Sequence, residues 1–255
     1  MSRLIPPKTT KTAQIEYFRE IYPIVVTIDK KLNSMVMPVV EQKSIQEEIV
    51  DASALYKITS VFSDFIKEIN RQANEDKISK IATKVTIKAV KRNKSLWKAK
   101  LKNFGIDIKG KSSFKGEADY VKSRIRTNTK LIANLRDEYI ERLSIDLSNA
   151  YEQGRPAKQL AKDIQQSFGI SSRRAKLIAR NETKNTNCQL NIKQAIELGF
   201  DYGTWITSID GRERPEHKAH NNKKFKIGVG LDDGKGGKEQ PGDAINCRCT
   251  FYIDI

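Results

Sequence analysis

The stretch that decides the fold runs from residue 173 to residue 249 and contains three short polar segments. They read RAKLIARNET (174–183), DGRERPEH (210–217) and PGDAINCRC (241–249). The first segment has apolar residues at Ala175, Ile178 and Ala179, which is the spacing of one helix face. The other two contain Gly and Pro, which are typical of loops. The stretch therefore predicts a long helix followed by a loop-rich region that ends in a Cys-x-Cys pair.

Two segments around these loops alternate between apolar and polar residues, as half-buried strands do. They are residues 202–207 and 249–255. The helix before them should begin at a cap on Ser171 or Ser172 and end at Gly199. We expect a small antiparallel sheet of two or three strands, packed on this long helix. Its core would be thin, so a crosslink would stabilise it.

The upstream residues have mainly helical patterns. A short helix interrupted near Pro23 is expected first, then a helix from Ser44 to Ala73 with Ser44 as its cap. A further helical pattern runs from Ala118 to Gly154, and the next one ends at Gly169. The predicted fold class is α+β and predominantly α: helical N-terminal and middle parts, with a small C-terminal antiparallel sheet packed on a long helix.

A glycine-containing segment near residue 110 predicts a domain boundary. Residues 105–112 match the nucleotide-binding pattern G-x-x-x-x-G-K-S. The lysine-rich residues before them are unsuited to the buried strand that such a loop requires, so we interpret the segment as a linker. It divides the chain into an N-terminal helical region with a basic helix (1–110) and a second domain (111–255).

The charge of the chain favours a polyanionic partner, because Lys and Arg number 47 and Asp and Glu number 31. From Lys77 to Lys115 there are thirteen basic residues and one acidic residue, Asp107. Seven lysines share one face of a predicted helix and could contact DNA phosphates without reading sequence. This lysine row consists of Lys77, Lys80, Lys84, Lys88, Lys91, Lys98 and Lys102. The alternative interpretation is a merely solvated face.

The hydropathy pattern argues against a membrane protein. Apolar runs are short, whereas a bilayer span needs about 20 residues, and the N-terminus has no signal-peptide core. We expect a protein made in a cytoplasm, with no membrane partner.

One acidic residue lies on an apolar helix face. Glu182 shares the face of Ala175 and Ile178, and a buried carboxylate is costly unless a cation or several donors meet it. We predict an ion pair with Arg212 or Arg214, which we favour over a catalytic or metal-binding role.

The order of these motifs resembles the phage head morphogenesis family typified by the F protein of phage Mu. The resemblance is clear over residues 173–249. It lies in the order Ala-Lys-Leu-Ile-Ala-Arg-x-Glu-Thr, Gly, Trp205, Asp-x-Arg-x-Arg-x-x-His, Phe225, Pro-Gly and Asn-Cys-Arg-Cys. It implies a minor head protein of the virion, in the head interior or at the portal vertex, present in the host cytoplasm during assembly. It also implies a portal protein, a scaffold or major capsid protein, and double-stranded DNA as partners.

The resemblance also implies which polar residues are characteristic. The family's polar residues fall on Arg180, Glu182, Asp210, Arg214, His217, Cys247, Arg248 and Cys249. Two positions depart from the family pattern. Asn181 replaces the usual Thr, and Asn221-Asn222 replace the usual Asp-Gly, which weakens a role for an acidic group there.

The corner of His217, Cys247 and Cys249 has three interpretations. With Asp210, His220 or Glu182 as a fourth ligand, it would be a structural zinc site, and Asp210 is the preferred one of these. Alternatively, His217 is hydrogen-bonded to Asp210 and the cysteines are packed thiols. The third interpretation is catalytic: a metal-dependent nuclease or another enzyme that uses the same corner. We expect no catalytic residues, and no cofactor other than this zinc.

Overall fold

The computed structural model describes residues 2–46, 52–106, 113–153, 155, 157–209 and 211–255. Helices predominate, and short strands lie mostly near the C-terminus, so the predicted fold class is confirmed. The helices are α1 (Lys11–Met35), α2 (Met37–Gln46), α3 (Ala52–Gln72), α4 (Glu75–Asn103), α5 (Glu117–Glu152), α6 (Ala157–Glu197) and α7 (Pro215–His220). The strands are β1 (Arg3–Leu4), β2 (Tyr202–Ile206), β3 (Lys224–Lys226), β4 (Leu231–Asp232), β5 (Lys238–Glu239) and β6 (Thr250–Asp254).

The residues group into two compact units. The first comprises Met1–Ile15, Lys84–Ile125 and Arg180–Ile255, and the second comprises Glu16–Thr83 and Arg126–Ala179. This grouping does not test the domain boundary expected near residue 110, which stays a prediction.

The first unit contains the small sheet. Its strand order is β1-β6-β2-β3, and each neighbouring pair is antiparallel. Trp205 of β2 is opposite Phe251 of β6, and both side chains lie in a core with Ile192 of α6 and Trp97 of α4. The predicted strands and their packing on the long helix are therefore confirmed. The two-residue edge strand β1 was not predicted, because a pair of residues before Pro6 carries no alternation.

Side-chain amides of α4 and α6 form a hydrogen-bond network in the first unit. The network also binds Pro7, which follows β1. Asn191 accepts hydrogen bonds from Asn93 (2.8 Å) and from the indole of Trp97 (2.9 Å), and it donates to the carbonyl of Pro7 (2.9 Å). Asn187 also donates to that carbonyl, at 2.7 Å, and accepts from Asn93. The amides give buried polar groups their partners, as burial requires.

The second unit is helical and has an apolar core. Ile28 and Leu32 of α1, Phe65 of α3 and Tyr139 of α5 are fully buried in this unit. Tyr17 donates a hydrogen bond to Asn128 at 2.9 Å.

Three predicted helix boundaries were wrong. The helix α1 is continuous through Pro23, whose exposed ring faces away from the buried residues Ile21 and Ile24. Ser44 lies inside α2 rather than at a helix start, and the residues that follow it, 47–51, are outside the described residues. At Pro23 the burial of an apolar face outweighs the local signal.

The third wrong boundary lies in α6, which is one helix through Gly169, Ser171 and Ser172. A glycine within a helix costs only about 1 kcal/mol. Ile164, Ser171 and Ala175 are all buried on the same helix, so packing on both sides of Gly169 keeps the helix continuous. The predicted end at Gly199 is confirmed. Gly199 has φ +84°, and the N–H groups of Gly199 and Phe200 bind the carbonyls of Ile196 and Ala195.

The linker interpretation of residues 105–112 agrees with the described part. Helix α4, not a strand, precedes Gly105, and α5 begins at Glu117; residues 107–112, like Gly154, lie outside the described residues. None of the helices within the described residues is long and apolar enough to cross a membrane.

Candidate functional site

A row of amide side chains on α6 holds the segment 241–246, which precedes the cysteine pair. Asn181, Asn185 and Gln189 recur every four residues and therefore share one helix face. The side-chain oxygen of Asn181 accepts the backbone N–H of Asn246 at 2.9 Å, and Asn185 donates to the carbonyls of residues 242 and 243 at 3.4 and 3.3 Å. Gln189 donates to the carboxylate of Asp243. The helix thus fixes the backbone that carries Cys247 and Cys249.

Two of the arginines implied by the resemblance bind the same segment. Arg180 donates to the side chain of Asn246 at 2.9 Å, and Arg214 donates to the carbonyl of Ile245 at 2.9 Å. Asn246 has φ +60°, a conformation that Asn tolerates better than most residues. Both arginines are exposed, so these contacts position a turn and do not form a buried charged site.

Close packing also restricts this segment at Gly242. Its φ is +96°, and a Cβ atom there would lie 2.3 Å from the sulfur of Cys188 on α6. The absence of a side chain lets the turn approach the helix closely. Burial raises the pKa of the Cys188 thiol to about 12, so this cysteine remains a neutral packing group.

Glu182 forms the expected ion pair, but with a different residue. Its carboxylate binds Arg124 of α5, and the side chains are 8% and 13% exposed. Asn181 also donates to Glu182, at 3.2 Å. The predicted partners, Arg212 and Arg214, were wrong. Arg124 lies 58 residues upstream on another helix, and no periodicity in the sequence indicates such a pair.

His217, Cys247 and Cys249 come together in a buried corner, as the sequence predicted. The Nδ1 atom of His217 lies 3.6 Å from the Sγ atom of each cysteine, and the three ligand atoms lie within 4.8 Å of one another. The three residues are 3%, 6% and 6% exposed. Helix α7 supplies the histidine, and its imidazole ring packs edge to face against Trp205, with ring centroids 5.8 Å apart.

The other nitrogen of His217 faces a carboxylate that the sequence did not indicate. Its Nε2 atom lies 2.9 Å from Oε1 of Glu239 on β5, and the Glu239 side chain is 13% exposed. The two atoms are close enough for a hydrogen bond but are not aligned for one. His220 is also buried against Trp205, and its Nε2 atom lies 3.9 Å from the same oxygen.

The pKa values of the two cysteine thiols are shifted in opposite directions. The thiol of Cys249 and its backbone N–H donate toward Cys247 and lower the pKa of Cys247 below its usual value, against the effect of burial. The pKa of Cys249 is raised, mainly because its own proton is held by Cys247 and then because it is buried. The corner therefore favours one thiolate at Cys247.

Among the residues that the structure describes, the other members of the predicted polar cluster are not gathered at this corner. Glu182 faces Arg124, and Arg180 and Arg214 hold the turn. Arg248 lines a neighbouring pocket of about 360 Å³ together with Lys184 and Lys8. Asp210 lies outside the described residues.

The lysine row lies along α4 as the sequence predicted. All seven lysines are exposed, whereas Ile78, Ala82 and Val85 are buried. Lys94 is half-buried and binds Glu117 of α5 at 2.6 Å and Ser113 at 3.0 Å. It is therefore separate from the row.

Comparisons with known proteins agree with the resemblance. Residues 141–252 match the family described as Phage Mu protein F like protein. An uncharacterized protein of Haemophilus influenzae (strain ATCC 51907 / DSM 11121 / KW20 / Rd) is 28% identical over 123 residues, which cover 48% of this chain and only 27% of that relative. No solved structure matches the chain. The matched residues include β2, β3, the amide row and the buried corner, and over this part the chain is similar to the Phage Mu protein F-like family.

Proposed function

We propose that the protein is a minor head protein that acts in phage head morphogenesis, and that it associates with the portal vertex and contacts packaged or delivered DNA. The family match over residues 141–252 supports the head role. The portal protein, with a scaffold or major capsid protein, would be its protein partners. The protein would be part of the virion, in the head interior or at the portal vertex.

The observation that carries the DNA contact is the charge of the exposed face of α4. From Lys77 to Asn103 this helix contains no acidic residue. Exposed helix faces commonly intersperse Glu with Lys, because such pairs support each other at i,i+4. A row of one sign repels itself unless a polyanion neutralises it, and phosphates do so with release of counterions. The aromatic residue within this span, Trp97, is buried and is not available to stack on bases, which favours contact without sequence reading.

Exchanging four of these lysines should weaken DNA binding. The variant Lys88→Glu/Lys91→Glu/Lys98→Glu/Lys102→Glu changes exposed residues of the first unit that lie on one face of α4. Loss of about four phosphate contacts should reduce the slope of log affinity against log salt by about 3 to 4. Fluorescence anisotropy with two unrelated duplexes at several salt concentrations measures this slope.

A second variant with the same charge change provides the control. Lys122, Lys130, Lys158 and Lys162 are exposed lysines on α5 and α6, and their exchange for Glu alters net charge equally. Its salt slope should stay near that of the unchanged protein. If both variants lose affinity equally, net charge rather than the α4 face directs binding.

The same row could dock on an acidic portal or scaffold surface, which a co-purification experiment separates from DNA binding. The protein is co-expressed with a phage portal protein, and the complex is isolated after nuclease treatment. Recovery of the portal from the unchanged protein supports the vertex assignment. If the portal is lost only with the α4 variant, the lysine row binds the portal. If the portal is recovered with neither the unchanged protein nor any variant, portal association is contradicted.

We propose no catalytic role for the corner of His217, Cys247 and Cys249. These residues are at most 6% exposed, and Nε2 of His217 lies 2.9 Å from the carboxylate of Glu239. A metal-dependent nuclease needs an accessible metal that can polarise a phosphate, and the corner offers little access for one. DNA incubated with the protein and Mg²⁺ or Mn²⁺ should remain intact, and cleavage that disappears in His217→Ala would restore the enzymatic alternative.

A further inference from the structure

We propose that Nδ1 of His217 and the sulfurs of Cys247 and Cys249 bind one structural Zn²⁺ ion. The proposal concerns the stability of the C-terminal sheet region and does not depend on the proposed head function.

The distances in the corner fit a tetrahedral metal site. With Zn–S bonds of about 2.3 Å and Zn–N bonds of about 2.0–2.1 Å, the sulfur-to-nitrogen edge of a tetrahedron is about 3.6 Å. The structure has 3.6 Å for both such edges, and the sulfurs lie within 4.8 Å of each other. The set of one imidazole and two thiolates is one that zinc prefers.

Hydrogen bonding alone explains this arrangement poorly. A single imidazole nitrogen carries either one proton or one lone pair, so Nδ1 of His217 can make one good hydrogen bond with only one of the two thiols. Both sulfurs nevertheless approach it equally closely. A metal ion located among the three atoms accounts for both distances.

Polar groups lie close enough to the ligands to support them. Zinc at Nδ1 leaves the proton on Nε2, which faces Glu239 at 2.9 Å. A carboxylate in that place orients a metal-binding histidine and makes it more basic. On the sulfur side, the backbone N–H of Cys249 donates to Sγ of Cys247 at 3.4 Å, which would stabilise a thiolate ligand.

The zinc ion would crosslink the polar segment between β2 and β6. His217 is 30 residues from Cys247 and 32 from Cys249, so the ion would join α7 to the residues that enter β6. The sheet core here is small, and a metal crosslink adds stability that such a core lacks. The described residues supply three ligands of the ion.

Metal analysis of the full chain tests the proposal. The protein is purified without chelators, stripped under reducing conditions, reloaded with Zn²⁺ and analysed by mass spectrometry for metal content. We expect one zinc per chain, and a thiolate-to-metal charge-transfer band when Co²⁺ replaces Zn²⁺. Cys247→Ser and Cys249→Ser should each weaken that band, whereas the matched control Cys188→Ser should retain it. Less than stoichiometric zinc after reloading, or full binding in a Cys247→Ser/Cys249→Ser variant, would overturn the proposal.

Two further measurements test the zinc site even if the cysteine variants fold poorly. In the unchanged protein, zinc should slow alkylation of Cys247 and Cys249 relative to the stripped protein, because a thiolate bound to the metal is less available as a nucleophile. Glu239→Gln should weaken zinc binding by roughly 10- to 100-fold, as loss of a supporting carboxylate does. Equal alkylation rates with and without zinc, or a Cys247–Cys249 disulfide in the native protein, would reject the site.

Discussion

Replacing Arg124 with Met is expected to lower the free energy of unfolding by about 3–5 kcal/mol, because it leaves a buried carboxylate without its cation. Glu182 is 7% exposed and has Arg124 as its charged partner in the structure. Methionine keeps much of the arginine's volume, so the loss reports mainly the unpaired charge and not a cavity. Urea unfolding followed by the fluorescence of Trp97 and Trp205 measures the change.

The control for this prediction removes both charges. An Arg124→Met/Glu182→Leu variant should recover most of the lost stability, since replacing a buried ion pair with apolar residues is often neutral. The exposed pair Lys67–Asp64 provides a second reference, and its removal should cost less than about 1 kcal/mol. If the double variant is as unstable as Arg124→Met alone, the cost arises from lost packing around the arginine.

Replacing Asn191 with Ala is expected to cost about 2–4 kcal/mol, because it removes three hydrogen bonds and leaves the buried indole N–H of Trp97 without its acceptor. Asn191 is 3% exposed and Trp97 is 1% exposed, so entry of water is restricted. The loss should also loosen the residues near Pro7 that Asn191 holds. Urea unfolding gives the free energy, and hydrogen exchange of the β1 and β6 amides shows where protection is lost.

Asn187→Ala is the matched control for the amide network. Asn187 binds the same two neighbours, Asn93 and the Pro7 carbonyl, but it is only half-buried, and the indole of Trp97 donates to Asn191. Its loss should cost about 1 kcal/mol. If the two replacements lower the free energy of unfolding equally, the hydrogen bond from Trp97 does not explain the cost of losing Asn191.

Patterns that depend on neighbouring residues predicted much of this fold. Gly199 ends α6, alternation locates β2 and β6, and the period of the lysines places their ammonium groups on the exposed face of α4. Each of these rests on interactions within a few residues. Pro23 and Gly169 misled the prediction, because their local cost is smaller than the burial gained by a continuous helix.

The site was predicted only where its residues carry distinctive chemistry. Histidine and cysteine are rare in this chain, so the meeting of His217 with Cys247 and Cys249 could be anticipated. Glutamate and arginine are common, and the sequence therefore gave no means of selecting Glu239 or Arg124 among them. Their roles depend on contacts between distant segments, which a periodic pattern does not encode.

The position of β6 in the sheet has a consequence for the timing of folding. It lies between β1 and β2, and Leu4 pairs with Ile253, which follows it by about 250 residues. During translation β1 therefore cannot pair with β6 until the long intervening segment has been made. Pairings between such distant residues form slowly, so we expect β1 to join the sheet late in folding.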